Sequence, residues 1–391
     1  MNIDTVWKRW QEQEARSRLA YSWVTIDLEL SLFHDTPPKL AITDLNTVLP
    51  DPDLLWQSKS GGEWLMLYSQ LHRLSEESGS SKHRSSLSML YRQFMDGETL
   101  HEDVTFTAKQ LQLLLHPLQA LASHLYQCLG SFFDGGSHHQ INNLTATLAS
   151  RALLQEVQRL LQQWYALSMR SQCNNPDAHN DTKMGPVTGR SLLLYHLMTL
   201  QTMVPFSEIE RLARRERSAT CRNFFQPTST PSDLRGRVSE ESVHILFHCG
   251  QVLRLATRKV RKAERPSWWA AAIYRAAVIM WTTSMANAGS SSSSSTTAMA
   301  WESSIEADHR RAEGVITIDE VAPEDEAVQR YLLRREGVPM LSKHNGMLVS
   351  LDVPGVILSH CVEVLMEDGP TTRLTEGIAG KLERLRVRWE S

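Results

Sequence analysis

Between Trp7 and Phe33, apolar residues recur at Ala15, Leu19, Trp23, Ile26, Leu30 and Phe33, in steps of four, four, three, four and three. That is the spacing of one face of an α-helix, so the chain opens on a long rod. Asp4 is placed to cap its start, and Glu14 precedes Arg18 by four residues, a favourable pair on a helix surface. Pro37 and Pro38 end the helix, because proline lacks the amide donor and disfavours the α region in the residue before it. On this spacing Trp23 and Leu30 face the core. Asp27, one turn after Trp23, is then partly buried, with Arg18 or another cation as its partner.

Helical spacing continues through most of the chain. It is carried by Trp64, Leu67, Leu71 and Leu74, and then by Ala108 through Leu129, where Pro117 predicts a kink. It returns in Leu144–Met169, Leu192–Val204, Ser207–Arg217, Ser242–Glu264, Trp268–Trp281 and Glu324–Arg335. A last helix sets Leu374, Ile378, Leu382, Leu385 and Trp389 on one face. Between these lie a polar, mobile stretch (Ser75 to Ser86), a loop from Asp134 to His139 and a turn-rich connector from Asn174 to Gly189. His344-Asn345-Gly346 between two apolar runs is a hairpin signal, the one convincing β element. The uninterrupted serines Ser290 to Ser295 cannot bury apolar surface. The sequence therefore predicts a mostly α fold, one large helical domain with a minor hairpin near the C-terminus. Residues 1–285 form its N-terminal and central part, 286–314 a disordered serine-rich insertion, and 315–391 its C-terminal part.

Hydrophobic residues make up 41% of the 391, enough for a sizeable core, and the net charge of −3 gives no chain-wide attraction to nucleic acid. The N-terminus carries Lys8, Arg9, Glu12 and Glu14 where a secretory signal needs an apolar stretch, and the apolar run Trp268–Trp281 is short for a membrane span and broken by Arg275. An intracellular, soluble protein with no membrane partner is expected. Charge is uneven: residues 205–270 hold 13 Lys and Arg against 7 Asp and Glu, and residues 301–391 hold 11 against 17. The basic clusters (Arg211, Arg214, Arg215 and Arg217; Arg258, Lys259, Arg261, Lys262 and Arg265) read as a solvated helix surface or as an import or partner patch.

The five cysteines, Cys128, Cys173, Cys221, Cys249 and Cys361, are scattered, and none forms the short C-x-x-C pair that aims two thiolates at one zinc. His244, His248 and Cys249 share a helix but lack the H-E-x-x-H order and a third ligand, and read as packing. Nucleophile-elbow, phosphate-loop and dinucleotide patterns are absent from the sequence. Glu324-Asp325-Glu326 sits at a helix start, where carboxylates favour the dipole, and Glu102-Asp103 and Glu367-Asp368 read as surface. Trp7, Trp10, Trp23, Trp56, Trp64 and Trp281, at helical spacing, read as core. No catalytic, cofactor-binding or metal-ligating residue is assigned.

Trp7-x-x-Trp10, Glu14-x-x-x-Arg18-Leu19, Tyr21-x-Trp23-x-x-x-Asp27, Phe33, Pro37-Pro38, Asp44, Leu49-Pro50 and Leu55-Trp56 together resemble the fungal-specific transcription-factor regulatory domain, the middle homology region found in zinc-finger regulators. Arg265-Pro266-x-Trp268-Trp269, Tyr274-Arg275 and Trp281 resemble its late Trp/Ala/Tyr/Arg helix. The resemblance implies a nuclear regulator of transcription, acting on a metabolic or biosynthetic gene set through regulatory proteins or the transcription machinery. It implies no cofactor in this chain. Zinc is expected only in a DNA-binding module that this sequence lacks, and promoter DNA is met only through that module. The alternatives are a helical scaffold or co-regulator without DNA binding, and an all-α enzyme.

Overall fold

The computed structural model describes residues 2–77, 85–96, 106–133, 140–173, 186–204, 206–214, 233–259, 265–292, 314–367 and 372–390. The fold is mostly α, with one small three-stranded sheet towards the C-terminus. Among the described residues no helix is long and apolar enough to cross a membrane. The chain divides into two compact units, Met1–Asn174 and Asn175–Ser391. The division falls at the start of the stretch read as a connector, of which residues 174–185 lie outside the described residues.

In the first unit, α1 (Ile3–His34) packs on α3 (Gly61–Glu77) and α5 (Ala108–Phe133). A short α2 (Asp53–Trp56) and α4 (Leu87–Met95) fill in beside them, and α6 (Gln140–Cys173) lies along α5. The start of α1 is capped by Asn2, whose side chain accepts from the Asp4 amide, so Asp4 belongs to the first turn rather than to the cap. The helix stops at His34 and turns through Asp35 in the left-handed region, two residues before the proline pair. α5 continues through Pro117. The sequence reading missed α4, although Ser86 caps it through the Met89 amide.

The apolar stripe on α1 points the other way from the expectation. Leu19, Trp23, Ile26 and Leu30 are 63%, 58%, 43% and 51% exposed, while Trp10, Tyr21, Val24, Leu28 and Leu32 are buried. The inward face also buries Glu14, Ser17 and Ser31. These polar residues dilute the hydropathy of the face that packs, so the outer stripe is the one that stands out in sequence. Trp10, Trp64 and Trp281 are core residues as read, and Trp164 is buried too, while Trp23 and Trp56 are exposed.

In the second unit, α10 (Trp269–Ser292) is the central helix, packed by α8 (Phe206–Ala213), α9 (Asp233–Arg254), α12 (Pro354–Glu367) and α13 (Arg373–Glu390). Almost every residue from Trp268 to Ser284 is buried, the pattern of a helix enclosed on all sides, and its alanines admit close neighbours. α7 (Pro186–Met203) packs on α9, which continues into a π-helical turn, Leu255–Lys259. α10 runs on to Ser292, so the first residues of the predicted serine-rich insertion are helical. Residues 293–313 lie outside the described residues, as do 78–84 of the stretch read as mobile.

The hairpin is present. β2 (Val338–Ser342) pairs antiparallel with β3 (Leu348–Ser350), with Leu341 opposite Val349. The Gly346 amide bonds back to the Lys343 carbonyl at 2.9 Å, and Gly346 sits at φ 77°, in the left-handed region. Gly346→Ala, strained at that φ, is expected to destabilise by about 1 kcal/mol in chemical denaturation. A third strand unforeseen in the sequence, β1 (Val315–Thr317), runs parallel to β2. Between β1 and β2 lies α11 (Glu326–Arg334), started by Asp325, whose carboxylate accepts from the Ala327 amide.

Candidate functional site

The first set of sequence landmarks forms a polar clamp. The Glu14 carboxylate takes the Arg18 guanidinium at 2.7 Å and the Asp51 amide at 3.1 Å. Arg18 also reaches the Asp53 carboxylate at 2.7 Å and the Asp51 carbonyl at 2.8 Å, and lies over the Trp56 ring. Trp10 donates its indole N–H to Asp51 at 2.8 Å. Burial raises the Glu14 pKa, only partly offset by the Asp51 and Arg18 hydrogen bonds. Higher up α1, Tyr21 donates to the Thr47 carbonyl and accepts the Leu87 amide. Asp27 receives the Lys39 and Leu40 amides at 2.9 Å each and His116 Nε2 at 3.0 Å. Its partner is therefore His116 on α5, not Arg18. Trp10, Glu14, Arg18, Tyr21 and Asp27 tie the segment after Pro37-Pro38 down onto α1. These residues hold the fold, and the concavity among them, lined by Trp10, Glu14, Ser17, Leu49 and Asp51, is only about 10 Å³.

The second set is also engaged in packing. Arg275 is buried with its guanidinium over Phe206, and Arg265 lies over Trp269 and donates to the Thr257 carbonyl at 2.8 Å. The Tyr274 hydroxyl donates to Glu210 at 2.8 Å, and Glu210 also takes Lys381 and Arg214, each at 2.9 Å. Of the basic clusters, Arg211 and Arg214 are exposed and Arg265 is half-buried, while Arg215, Arg217, Arg261 and Lys262 lie outside the described residues.

His244, His248 and Cys249 do not converge. His248 meets His196 of α7, Nδ1 to Nδ1 at 2.8 Å, both rings buried. One nitrogen must donate and the other accept, so the two rings cannot both be charged, and burial favours the neutral form of each. Burial, then His244, pushes the His248 pKa down to about 3, and burial, then His248 and Arg254, pushes His196 well below its ordinary value. Such imidazoles are neutral in the fold but charge near pH 6.5 once unfolded, so their stabilisation is lost as pH falls below about 6.5. The melting temperature should drop between pH 6.5 and 5, and His196→Gln with His248→Gln should flatten that slope. Cys249 is buried and free, its thiol held far above its usual pKa by burial and by Cys361. Among the described residues no three His, Cys, Asp or Glu side chains are grouped to hold a metal ion.

A concavity of about 350 Å³ lies elsewhere in the second unit. One wall is the face of α12 carrying His360, Glu363, Val364 and Glu367, spaced three, four and seven residues on. The hairpin loop supplies Ser342 through Asn345, and Leu253 and Thr257 close the floor. Asp319, in the turn after β1, fixes the loop by accepting the Ser342 amide at 3.0 Å. Lys343 reaches across to Glu363 at 2.6 Å. Asp319, Glu363 and Glu367 outnumber Lys343 in the lining, and His344 and His360 stand with them. The nearby Cys361 thiol, pushed up to about 12 by burial and then by Asp319, is no nucleophile at neutral pH. Sequence reasoning missed this site because neither β1 nor α12 was read. The Ile357, Leu358, Cys361, Val364 and Leu365 spacing would have revealed α12.

No family model matches the chain, and no solved structure does. The chain is similar to fungal proteins named as transcription factors, among them the three that follow. It is 36% identical to transcription factor 1 of Elsinoe fawcettii, over 98% of this chain and 37% of that one. It is 32% identical to transcription factor PfmaH of Pestalotiopsis fici, over 98% of this chain and 36% of the relative. With transcription factor opdJ of Penicillium oxalicum the identity is 29%, over 100% of this chain and 47% of the relative. The chain thus spans less than half the length of the curated relatives it matches, and is similar throughout its length to one stretch of fungal transcription factors.

Proposed function

We propose that the chain is the regulatory part of a fungal transcription factor. It acts in the nucleus, through contacts with regulatory proteins or the transcription machinery, on a metabolic or biosynthetic gene set. What carries this reading is that the similarity to proteins named as transcription factors runs through at least 98% of the chain, and so through both helical units rather than one motif. The landmark residues support it by their roles as fold-holding contacts, which suit a regulatory body better than an enzyme. In this reading promoter DNA is contacted by a zinc module that these 391 residues do not supply, and the cavity beside α12 is where a small effector acts.

Fusing the chain to a heterologous DNA-binding module, with a matching reporter in a filamentous fungus, tests the proposal. A several-fold change in reporter output relative to the module alone is expected. An expressed, folded and nuclear fusion that leaves the reporter unchanged overturns it. Alone, the chain should retard duplex DNA only in a salt-sensitive, sequence-independent way. A footprint on one sequence at physiological salt would refute that expectation.

A further inference from the structure

The inward face of α1 is complete: Trp10, Tyr21, Val24, Leu28 and Leu32 are buried in the first unit. Leu19, Trp23, Ile26 and Leu30 on the opposite face stay 43–63% exposed. A contiguous patch of such large apolar residues marks an interaction surface. Its steps of four, three and four are the spacing of the seam between two paired helices. We propose that this seam is closed by α1 of a second copy of the chain, running antiparallel.

Two observations favour a second copy. The spacing reads the same from either end, as a two-fold contact requires. With the axis midway between Trp23 and Ile26, Leu19 stands level with Leu30 of the second copy and Trp23 with Ile26. The charges also agree with that direction. Antiparallel, Arg16 is level with Phe33, Glu29 with Ala20 and Asp27 with Ser22, so no like charges meet within the overlap. A parallel, in-register pair sets Lys8, Glu12, Arg16 and Glu29 each beside its own copy and aligns the two helix dipoles, whereas the antiparallel pair opposes them. The seam is roughly 16 Å long at 1.5 Å per residue. So short a seam engages fewer than the roughly 20–30 residues a side of a standard interface, so the pair should come apart on dilution.

Sedimentation velocity of the whole 391-residue chain, from about 1 to 100 µM, reads the result. The weight-average mass should rise from one copy to two. Trp23→Glu with Leu30→Glu should raise the dissociation constant at least tenfold while the melting temperature of the dilute protein stays the same. Under mild oxidation, a mixture of Leu19→Cys and Leu30→Cys chains should form a cross-linked dimer faster than either variant or the parent chain alone. A single copy at every concentration overturns the proposal. So does a large drop in melting temperature for the dilute double variant, which would place the stripe inside a contact of its own chain. Preferential self-cross-linking of Leu19→Cys would replace the antiparallel pair with a parallel one.

Discussion

Asp27→Ala should destabilise the first unit by about 3 kcal/mol, read as a shift of the urea midpoint at constant slope. Asp27 is the acceptor for three donors: the Lys39 and Leu40 amides and the His116 ring. His116 is almost fully buried, so losing its acceptor leaves a polar group desolvated and unsatisfied. Burial lowers the His116 pKa despite the neighbouring carboxylate, so the ring is neutral and donates Nε2–H to an anion. Burial pushes the Asp27 carboxyl up, yet the Leu40, His116 and Lys39 hydrogen bonds together hold it below its usual range. A carboxyl depressed in the fold stabilises above its unfolded pKa, near 3.8, and loses that contribution as pH falls through the folded value. The difference between Asp27→Ala and the parent chain should therefore narrow in strong acid. Asp27→Asn, which keeps one acceptor oxygen, should lose less than alanine does.

Gly250→Ala is expected to cost the second unit about 3 kcal/mol, at the upper end of overpacking effects. A Cβ at Gly250 would stand 2.6 Å from the Ile318 carbonyl oxygen and 2.8 Å from its carbonyl carbon. These are backbone atoms, so no side-chain rotation relieves the contact. The adjacent Gln251 makes retreat costly: its amide donates to the Ile318 carbonyl at 3.0 Å and the Val321 carbonyl at 2.9 Å. Moving α9 away from the turn would break both bonds in a buried setting. Calorimetry should show a lower melting temperature for the transition of the second unit. If Gly250→Ala melts like the parent chain, the close approach of α9 to the turn is wrong.

The helical character of the chain was legible because apolar residues at steps of three and four dominate it, and the hairpin because Asn345-Gly346 has few other uses. The orientation of α1 was not legible from hydropathy. Its inner face holds Glu14, Ser17 and Ser31, whose polarity serves the Asp51 amide, Arg18 and the α5 side chains, partners that sequence spacing cannot display. The Glu14–Arg18 pair was correctly read, but its extension to Asp51 and Asp53 depends on a chain reversal. The candidate site was the least legible part. Asp319 meets Ser342 only because β1, three residues long, lies beside β2, and a strand that short leaves almost no alternation to detect. His248 looked like a companion of His244 along one helix, whereas its partner stands 52 residues earlier, on α7.

The uneven burial of the indoles has an optical consequence. Trp164 and Trp281 are sealed in apolar surroundings, and Trp10, Trp64, Trp268 and Trp269 nearly so, whereas Trp23 stands more than half open to water. Among the described tryptophans, Trp23 should emit at the longest wavelength and be the one most readily quenched by iodide. The red edge of the steady-state fluorescence of the unlabelled chain is therefore weighted towards Trp23, with Trp56, 37% exposed, the next most open of the described indoles. Anything that covers that face, at whatever concentration, should announce itself as a loss of the quenchable red edge.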